Sequence, residues 1–183
     1  MVSNLGRTVK LNNRISRDFF LDETVEVAKN LLHCILRISR GDFLIVETEA
    51  YLQNDPASHS FRGKTKRNQH MFLLGGHSYV YLIYGLHHCF NVVTGKEGVG
   101  EAVLIRSVLD LANNRLIKGP GNVCKELEIN LSHSGVDLLE NPFISIEVAA
   151  VQVKVTNTTR VGISKGTDLK YRFLNTEFLK IWR

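Results

Sequence analysis

Phe43-Leu44-Ile45-Val46-Glu47-Thr48-Glu49-Ala50-Tyr51, residues 43–51, is the stretch whose reading decides the fold. Its β-branched and aromatic content predicts a strand. Side chains two apart on a strand share a face. The alternation therefore predicts Glu47, Glu49 and Tyr51 on one side, and Val46, Thr48 and Ala50 on the other, against the core. Two carboxylates beside a tyrosine, backed by an apolar face, make a site-like arrangement. The same pattern also describes a solvated sheet face carrying one surface ion pair.

On the N-terminal side, residues 16–37 predict a helical region capped by Asp22, with Val25, Ala28, Leu31, Leu32 and Ile35 on one face. On the C-terminal side, residues 52–77 show no clean period and predict a long functional loop with a short helix near Gln69–Leu74. Residues 78–84 and 87–94 are rich in β-formers and flank Gly85-Leu86, which predicts a hairpin with its tip near Tyr84-Gly85. Further strands are expected over 101–109, 143–155 and 171–182, and a helix from Pro120 to about Ile129. Strands outnumber helices and do not alternate with them. That predicts an α+β fold on a mainly antiparallel sheet, not a doubly wound one.

The chain has 183 residues, 44% hydrophobic and 22% charged, with three prolines. This fits one domain, residues 1–183, with no Gly/Ser/Pro-rich linker dividing it. No run of about 18 apolar residues predicts a membrane span, and the first 20 residues lack the apolar core of a signal peptide. A cytoplasmic location in a bacterium, or a nuclear one in a eukaryote, is the corresponding expectation. Cys34, Cys89 and Cys124 are odd in number and far apart, so buried reduced thiols are expected and not a disulfide framework. The net charge of +5 favours polyanionic partners, a weak signal by itself.

The loop Asp55–Gln69 carries His59 and then Arg62, Lys64, Lys66 and Arg67. Basic residues beside a carboxylate strand fit a phosphate-facing surface next to a hydrolytic centre; a solvated charge run is the plainer alternative. In the hairpin, Tyr81 and Tyr84 have opposite parity. One can face a pocket while the other projects from the tip, where an aromatic can stack on or wedge between bases. Tyrosine is also simply common in strands. Adjacent His87 and His88 point to opposite faces, so no metal site is expected, and no phosphate-binding glycine loop occurs, so no nucleotide cofactor is expected.

Taken together, V-E-T-E-A-Y (46–51), D-P-A-S-H (55–59), R-G-K-T-K-R-N (62–68), M-F (71–72), Y-V-Y-L-I-Y-G (79–85), C-F-N (89–91), V-L-I-R (103–106), G-P (119–120) and R-V-G-I (160–163) resemble, in order and spacing, the alkyladenine DNA glycosylase family. These are the 3-methyladenine DNA glycosylases of the mammalian type. The resemblance covers roughly residues 14–174. It implies a monomeric, cofactor-free domain with a curved sheet and a protruding hairpin, acting on damaged double-stranded DNA. Glu49 matches the family's general base, and Arg106 a residue beside the water and phosphate near that base. Tyr51, His59 and Tyr81 match the side chains that sandwich the flipped base. Tyr84 matches the tip residue that fills the gap in the duplex, and Asn91 the pocket-floor residue that disfavours guanine. The backbone at Ala57, His59 and Val161 matches positions that hold base and water. Arg62, Lys64 and Arg67 are the expected backbone contacts. The chain departs from the family at T-K-R-N (65–68), where T-P-R-N is usual, and in the short stretch between Arg106 and Gly119.

The implied activity is excision of alkylated or deaminated purines by a Glu-activated water. Water is the expected nucleophile because no lysine lies in V-E-T-E-A-Y or the hairpin. Two rivals remain at this level: a non-catalytic nucleic-acid-binding module on the same fold, and a sugar or nucleoside hydrolase using Glu47 and Glu49 together.

Overall fold

The computed structural model describes residues 11–149 and 153–177. Its strands are β1 (Leu11–Arg14), β2 (Cys34–Ile38), β3 (Gly41–Tyr51), β4 (Ser78–Ile83), β5 (His87–Val93), β6 (Ala102–Asp110), β7 (Arg115–Lys118), β8 (Ile144–Ala149), β9 (Val155–Thr158) and β10 (Arg172–Asn175). Its helices are α1 (Arg17–Leu21), α2 (Thr24–Asn30) and α3 (Pro120–Glu126), with short 3-10 turns at Leu31–His33, Gln69–Phe72 and Leu131–His133. The strands form one sheet in the order β1-β8-β2-β3-β6-β5-β4; β10 bridges β3 and β9, and β7 extends β6. Every strand pairing among the described residues is antiparallel. The architecture is α+β, as the pattern of strands predicts.

β3 is the spine of the sheet. Its first half pairs with β2, its second half with β10, and most of its length with β6. The pairing with β6 is interrupted twice. Ile45 faces Val108, Glu47 faces Ser107, and Thr48 faces Ile105, so Val46 and Arg106 are each left without an opposite residue. An extra residue in one strand re-aims the side chains beyond it. Val46 accordingly packs with Ile35, Leu44 and Leu109, while Ile45 and Ala50 join the main core on the other face. The expectation that Val46 shares a face with Thr48 and Ala50 fails for this reason: strict alternation does not survive a bulge.

The main core lies between the sheet and the helices. Phe20, Val27, Ala28, Leu31 and Leu32 pack against Ile45, Ile105, Val108 and Phe173, all buried. Thr48 pins β3 to this layer by donating its hydroxyl to the Ala28 carbonyl at 2.7 Å. Beneath β5 and β6, α3 contributes Val123 and Cys124, with Leu127 just past its end, and Phe90 of β5 is fully buried there. Pro120 opens α3, where its missing N–H costs nothing. All three cysteines are buried and unbonded to one another.

The predicted helical region over 16–37 is shorter and broken. Glu23, not Asp22, is the N-cap of α2; Asp22 ends α1, and its carboxylate accepts the Glu23 N–H at 2.8 Å. From Cys34 onward the chain is β2, because pairing with both β3 and β8 overrides the helical spacing of Ile35. The expected strand over 143–155 is two separate strands, β8 and β9, with 150–152 outside the described residues. The expected strand over 171–182 is the shorter β10, and 178–182 also lie outside the described residues. α3 ends at Glu126, short of Ile129. β1 and β7, each four residues, carry too little pattern to announce themselves. No helix among the described residues is long and apolar enough to cross a membrane.

Phe90 has no exposed surface. Phe90→Ala should destabilise the protein by about 3–5 kcal/mol, the usual cost of emptying a phenylalanine site. Urea unfolding checks this; a loss under about 1 kcal/mol would show that α3 collapses into the gap.

Candidate active site

Glu49 has no exposed surface. Its Oε1 accepts the Val161 N–H at 2.9 Å, and its Oε2 accepts the Tyr51 hydroxyl at 2.8 Å and Arg106 Nη1 at 3.4 Å. An ionised carboxylate offers about four acceptor positions, so one remains for a further donor. Burial pushes the Glu49 carboxyl above the ordinary carboxylate range; Arg106, the Val161 amide and the Tyr51 hydroxyl offset this only in part, and Glu47 adds to the rise. Burial, then the Glu49 charge and the hydrogen bond to it, push the Tyr51 phenol well up. Tyr51 is therefore a fixed donor.

Glu47 shares the face of Glu49 but is occupied differently. Its Oε1 accepts Arg172 Nε at 2.6 Å and Arg106 Nε at 3.2 Å, and its Oε2 accepts the Ser107 hydroxyl. The break in register at Arg106 puts this one guanidinium against both carboxylates. Ser107 and Arg172 are partners that no motif announced.

A cavity of about 550 Å³ opens in front of this cluster, within the usual range of small-molecule sites. Tyr51, Ala57, His59, Tyr81, Asn91, Arg106, Val161 and Tyr84 all line it, so the chain brings together the predicted base-handling residues. Glu49 does not line the cavity; Arg106 and Val161, both bonded to it, do. The His59 and Tyr81 rings touch, centroids 4.4 Å apart and steeply inclined, and His59 Nδ1 lies 2.9 Å from the Tyr79 hydroxyl. His59 and Tyr81 thus form one wall; they do not face each other across the cavity. Crowding by the surrounding protein, and then the Arg67 charge, hold the imidazole below its ordinary pKa. It is neutral near pH 7.

Asn91 is buried and its amide nitrogen donates to the Tyr79 and Cys89 carbonyls, at 2.9 and 3.2 Å. That fixes the amide plane where β4 and β5 pair. The Ala57 and Val161 amides, expected to hold base or water, already donate to Asp55 and Glu49, and the His59 carbonyl accepts from Asn68.

At the hairpin tip, Tyr84 is 84% exposed with φ 52°, and Gly85 follows with φ 70°. Two consecutive positive φ values are the hand that suits a tight hairpin turn. A tyrosine there is strained by roughly 1–2 kcal/mol. Leu86 beside it is 76% exposed, a second apolar tip residue that sequence reasoning missed. Arg62, Lys64, Lys66 and Arg67 are all exposed, and Arg67 donates to the Leu82 carbonyl at 3.1 Å, tying the basic loop to the hairpin. Lys165, outside the motifs considered for a nucleophile, also reaches the cavity rim.

Arg106→Ala removes the largest influence that keeps Glu49 acidic. Carbon-13 NMR of the side-chain carboxyls should find Glu49 titrating above about 4.3 in the unaltered protein, and higher still in this variant. An unchanged or lower value in the variant would contradict the assigned role of Arg106.

A model of the methylpurine-DNA glycosylase family matches residues 18–177. Three relatives, from Rickettsia felis, Carboxydothermus hydrogenoformans and Methanoculleus marisnigri, each carry the name "putative 3-methyladenine DNA glycosylase". They are 41%, 44% and 45% identical to this chain, over 91%, 87% and 85% of it and 96%, 93% and 91% of their own lengths. With the match running through every segment that builds the cavity, the chain belongs to the methylpurine-DNA glycosylase family.

Proposed function

We propose that this protein flips alkylated or deaminated purines out of duplex DNA and hydrolyses their N-glycosidic bond with a water activated by Glu49. The proposed substrates are bases of the 3-methyladenine, 7-methylguanine, ethenoadenine and hypoxanthine class. The observation that carries the proposal is Glu49 itself: a fully buried carboxylate, gripped by three donors, all of which line an aromatic cavity. A module that only binds nucleic acid has no need to bury a carboxylate there. Of the three donors that hold Glu47, only Arg106 lines the cavity, while Ser107 and Arg172 do not, which disfavours a hydrolase using both acids.

The chemistry follows from these positions. Water takes the remaining acceptor position of Glu49, which draws a proton from it as the oxygen bonds to C1′. The bond from C1′ to the base nitrogen breaks, and its electron pair leaves with the base. Alkylation makes the base cationic, so that pair neutralises it; a neutral base such as hypoxanthine takes the pair and a proton from solvent, and leaves neutral. The negative carboxylate also stabilises the positive sugar as the bond stretches. The base stacks against the wall of His59 and Tyr81, with Tyr51 lining the same cavity. Leaving the helix costs a few kcal/mol of unstacking, which Tyr84 offsets by filling the gap. Arg62, Lys64 and Arg67 hold the backbone by phosphate contacts, a salt-dependent attraction. The protein acts as a monomer in this scheme.

Glu49→Gln keeps the shape of the side chain but removes its charge and basicity. Lesion binding should persist while single-turnover excision falls at least about a hundredfold. The product of the unaltered protein should be an intact abasic strand, and borohydride during turnover should trap no adduct, although Lys165 stands at the rim. Near-normal excision by the variant, or a trapped adduct, would overturn the mechanism.

Tyr84→Asn replaces a strained ring with a residue that tolerates positive φ. Its melting temperature should be no lower than that of the unaltered protein, while retention of a well-paired lesion weakens more than that of a mispaired one. Equal loss on both would remove the wedge role.

A further inference from the structure

The loop that presents the Val161 N–H to Glu49 has no regular secondary structure, so something else must hold it. Its anchor is the residue before. Arg160 and Asp55 form an ion pair whose side chains are 0% and 1% exposed. Arg160 Nη1 donates to Asp55 Oδ2 and, at 3.0 Å, to the Ala50 carbonyl. Nη2 donates to Asp55 Oδ1 at 3.0 Å and to the Gly166 carbonyl at 3.3 Å. The guanidinium also lies over the Tyr51 ring, 4.7 Å from its centre, and 5.6 Å from that of Tyr171. Asp55 Oδ1 accepts the Ala57 N–H at 2.9 Å as well. One planar fork therefore joins the end of β3, the turn carrying Ala57 and His59, and the loop carrying Val161. Gly166 permits the closeness: a Cβ there would sit 3.0 Å from Asp55 Oδ1 and 3.1 Å from Arg160 Nη2, at a φ of 58°.

We propose that Arg160 is a positioning residue for the base: paired with Asp55, it clamps the Val161 amide onto Glu49 and fixes the Ala57 wall of the cavity. This rests on Glu49 acting as the base. Arg160 touches neither the cavity nor Glu49, so it acts through Val161 and Tyr51. The charged and titratable groups that face Glu49 directly are Tyr51 and Glu47 on its own strand, Arg106 of β6 and Cys89 of β5. Arg172 of β10 acts from behind Glu47. An Arg160 substitution touches none of Glu47, Arg106, Cys89 and Arg172, and reaches Tyr51 only through its ring. The Val161 N–H is a donor that favours the ionised carboxylate, so its loss raises the pKa of Glu49 further.

The test is the pH profile of single-turnover excision on duplex DNA carrying a hypoxanthine, for the unaltered protein, Arg160→Lys and Asp55→Asn. Lysine keeps the charge but cannot reproduce the fork. The acid limb, where activity rises with ionisation of the base, should move to higher pH by on the order of one unit in each variant. A merely structural role would lower the melting temperature and the active fraction and leave the limb in place; that result overturns the proposal. If both variants fail to fold, amide hydrogen exchange in the unaltered protein decides. The Val161 amide should exchange slowly despite its irregular loop, and fast exchange overturns the clamp. Glu49→Gln separates the two readings. If it stays active, the base assignment fails; if it is inactive while the acid limb stands still in Arg160→Lys and Asp55→Asn, the clamp alone fails.

Discussion

Everything around the cavity depends on keeping a carboxylate with no exposed surface in the middle of a sheet. Removing such a group from water costs several kcal/mol even after relaxation, unless donors replace the lost hydration. Glu49 gets its donors from three places: a residue two along its own strand, the neighbouring strand β6, and the loop at Val161. The compensation is incomplete, since the carboxyl still titrates above its ordinary value. The sign of the linkage follows. A folded pKa above the unfolded one favours the neutral form, so this group's contribution to stability is full below the unfolded pKa and is lost as pH rises through the folded one. Above its folded pKa the carboxylate is the form that folding favours less, and on the proposed reading it is the form that a general base needs.

Glu47 and Arg106 show how this poise is limited. A lone guanidinium on Glu49 would draw the carboxylate down and make it a poor base. Here the guanidinium is shared, with its Nε on Glu47 at 3.2 Å and its Nη1 on Glu49 at 3.4 Å. Arg172 and Ser107 hold Glu47 from the other side. The sharing requires Arg106 to stand out of register, and the compensating irregularity at Val46 restores the pairing beyond it. Two local defects in the ladder are thus the geometric condition for one cation serving two carboxylates.

The class of fold and most of the cavity were legible in sequence, for identifiable reasons. The period of two over Glu47, Glu49 and Tyr51 survives in the structure because the extra residue of β3, Val46, falls just before it, and the second extra residue, Arg106, is on β6. The hairpin tip was legible because Gly85 marks the turn and its strands are rich in tyrosine, valine and isoleucine. Val46 was misplaced because a bulge leaves no mark on hydrophobic alternation. Ile35 was misplaced because its two neighbouring strands, β3 and β8, are not visible in a local window. The Asp55–Arg160 pair was invisible for a different reason. Its members lie 105 positions apart, and each alone reads as an ordinary surface charge. Its burial is what sets it apart from such a surface charge.

The hairpin shows why these parts belong to one device. β4 carries Tyr79 and Tyr81 in the cavity wall and ends at the strained, exposed Tyr84. Its partner β5 carries Asn91, whose amide is bonded to the Tyr79 carbonyl. Arg67 ties the basic loop to the Leu82 carbonyl on the same strand. On the proposed reading, one pair of strands therefore carries the residue that fills the duplex and part of the wall that receives the base, with the phosphate-gripping loop tied to it through Arg67. The Tyr84 strain is local to the turn, while the wall residues sit in ladder pairs, Tyr79 with Asn91 and Tyr81 with Cys89. A turn can change without disturbing a paired ladder, so on the proposed reading the tip can adapt to a bent duplex while the wall stays fixed against the base. On that reading the separation puts adaptability where the DNA must deform and rigidity where the glycosidic bond must be aligned with Glu49.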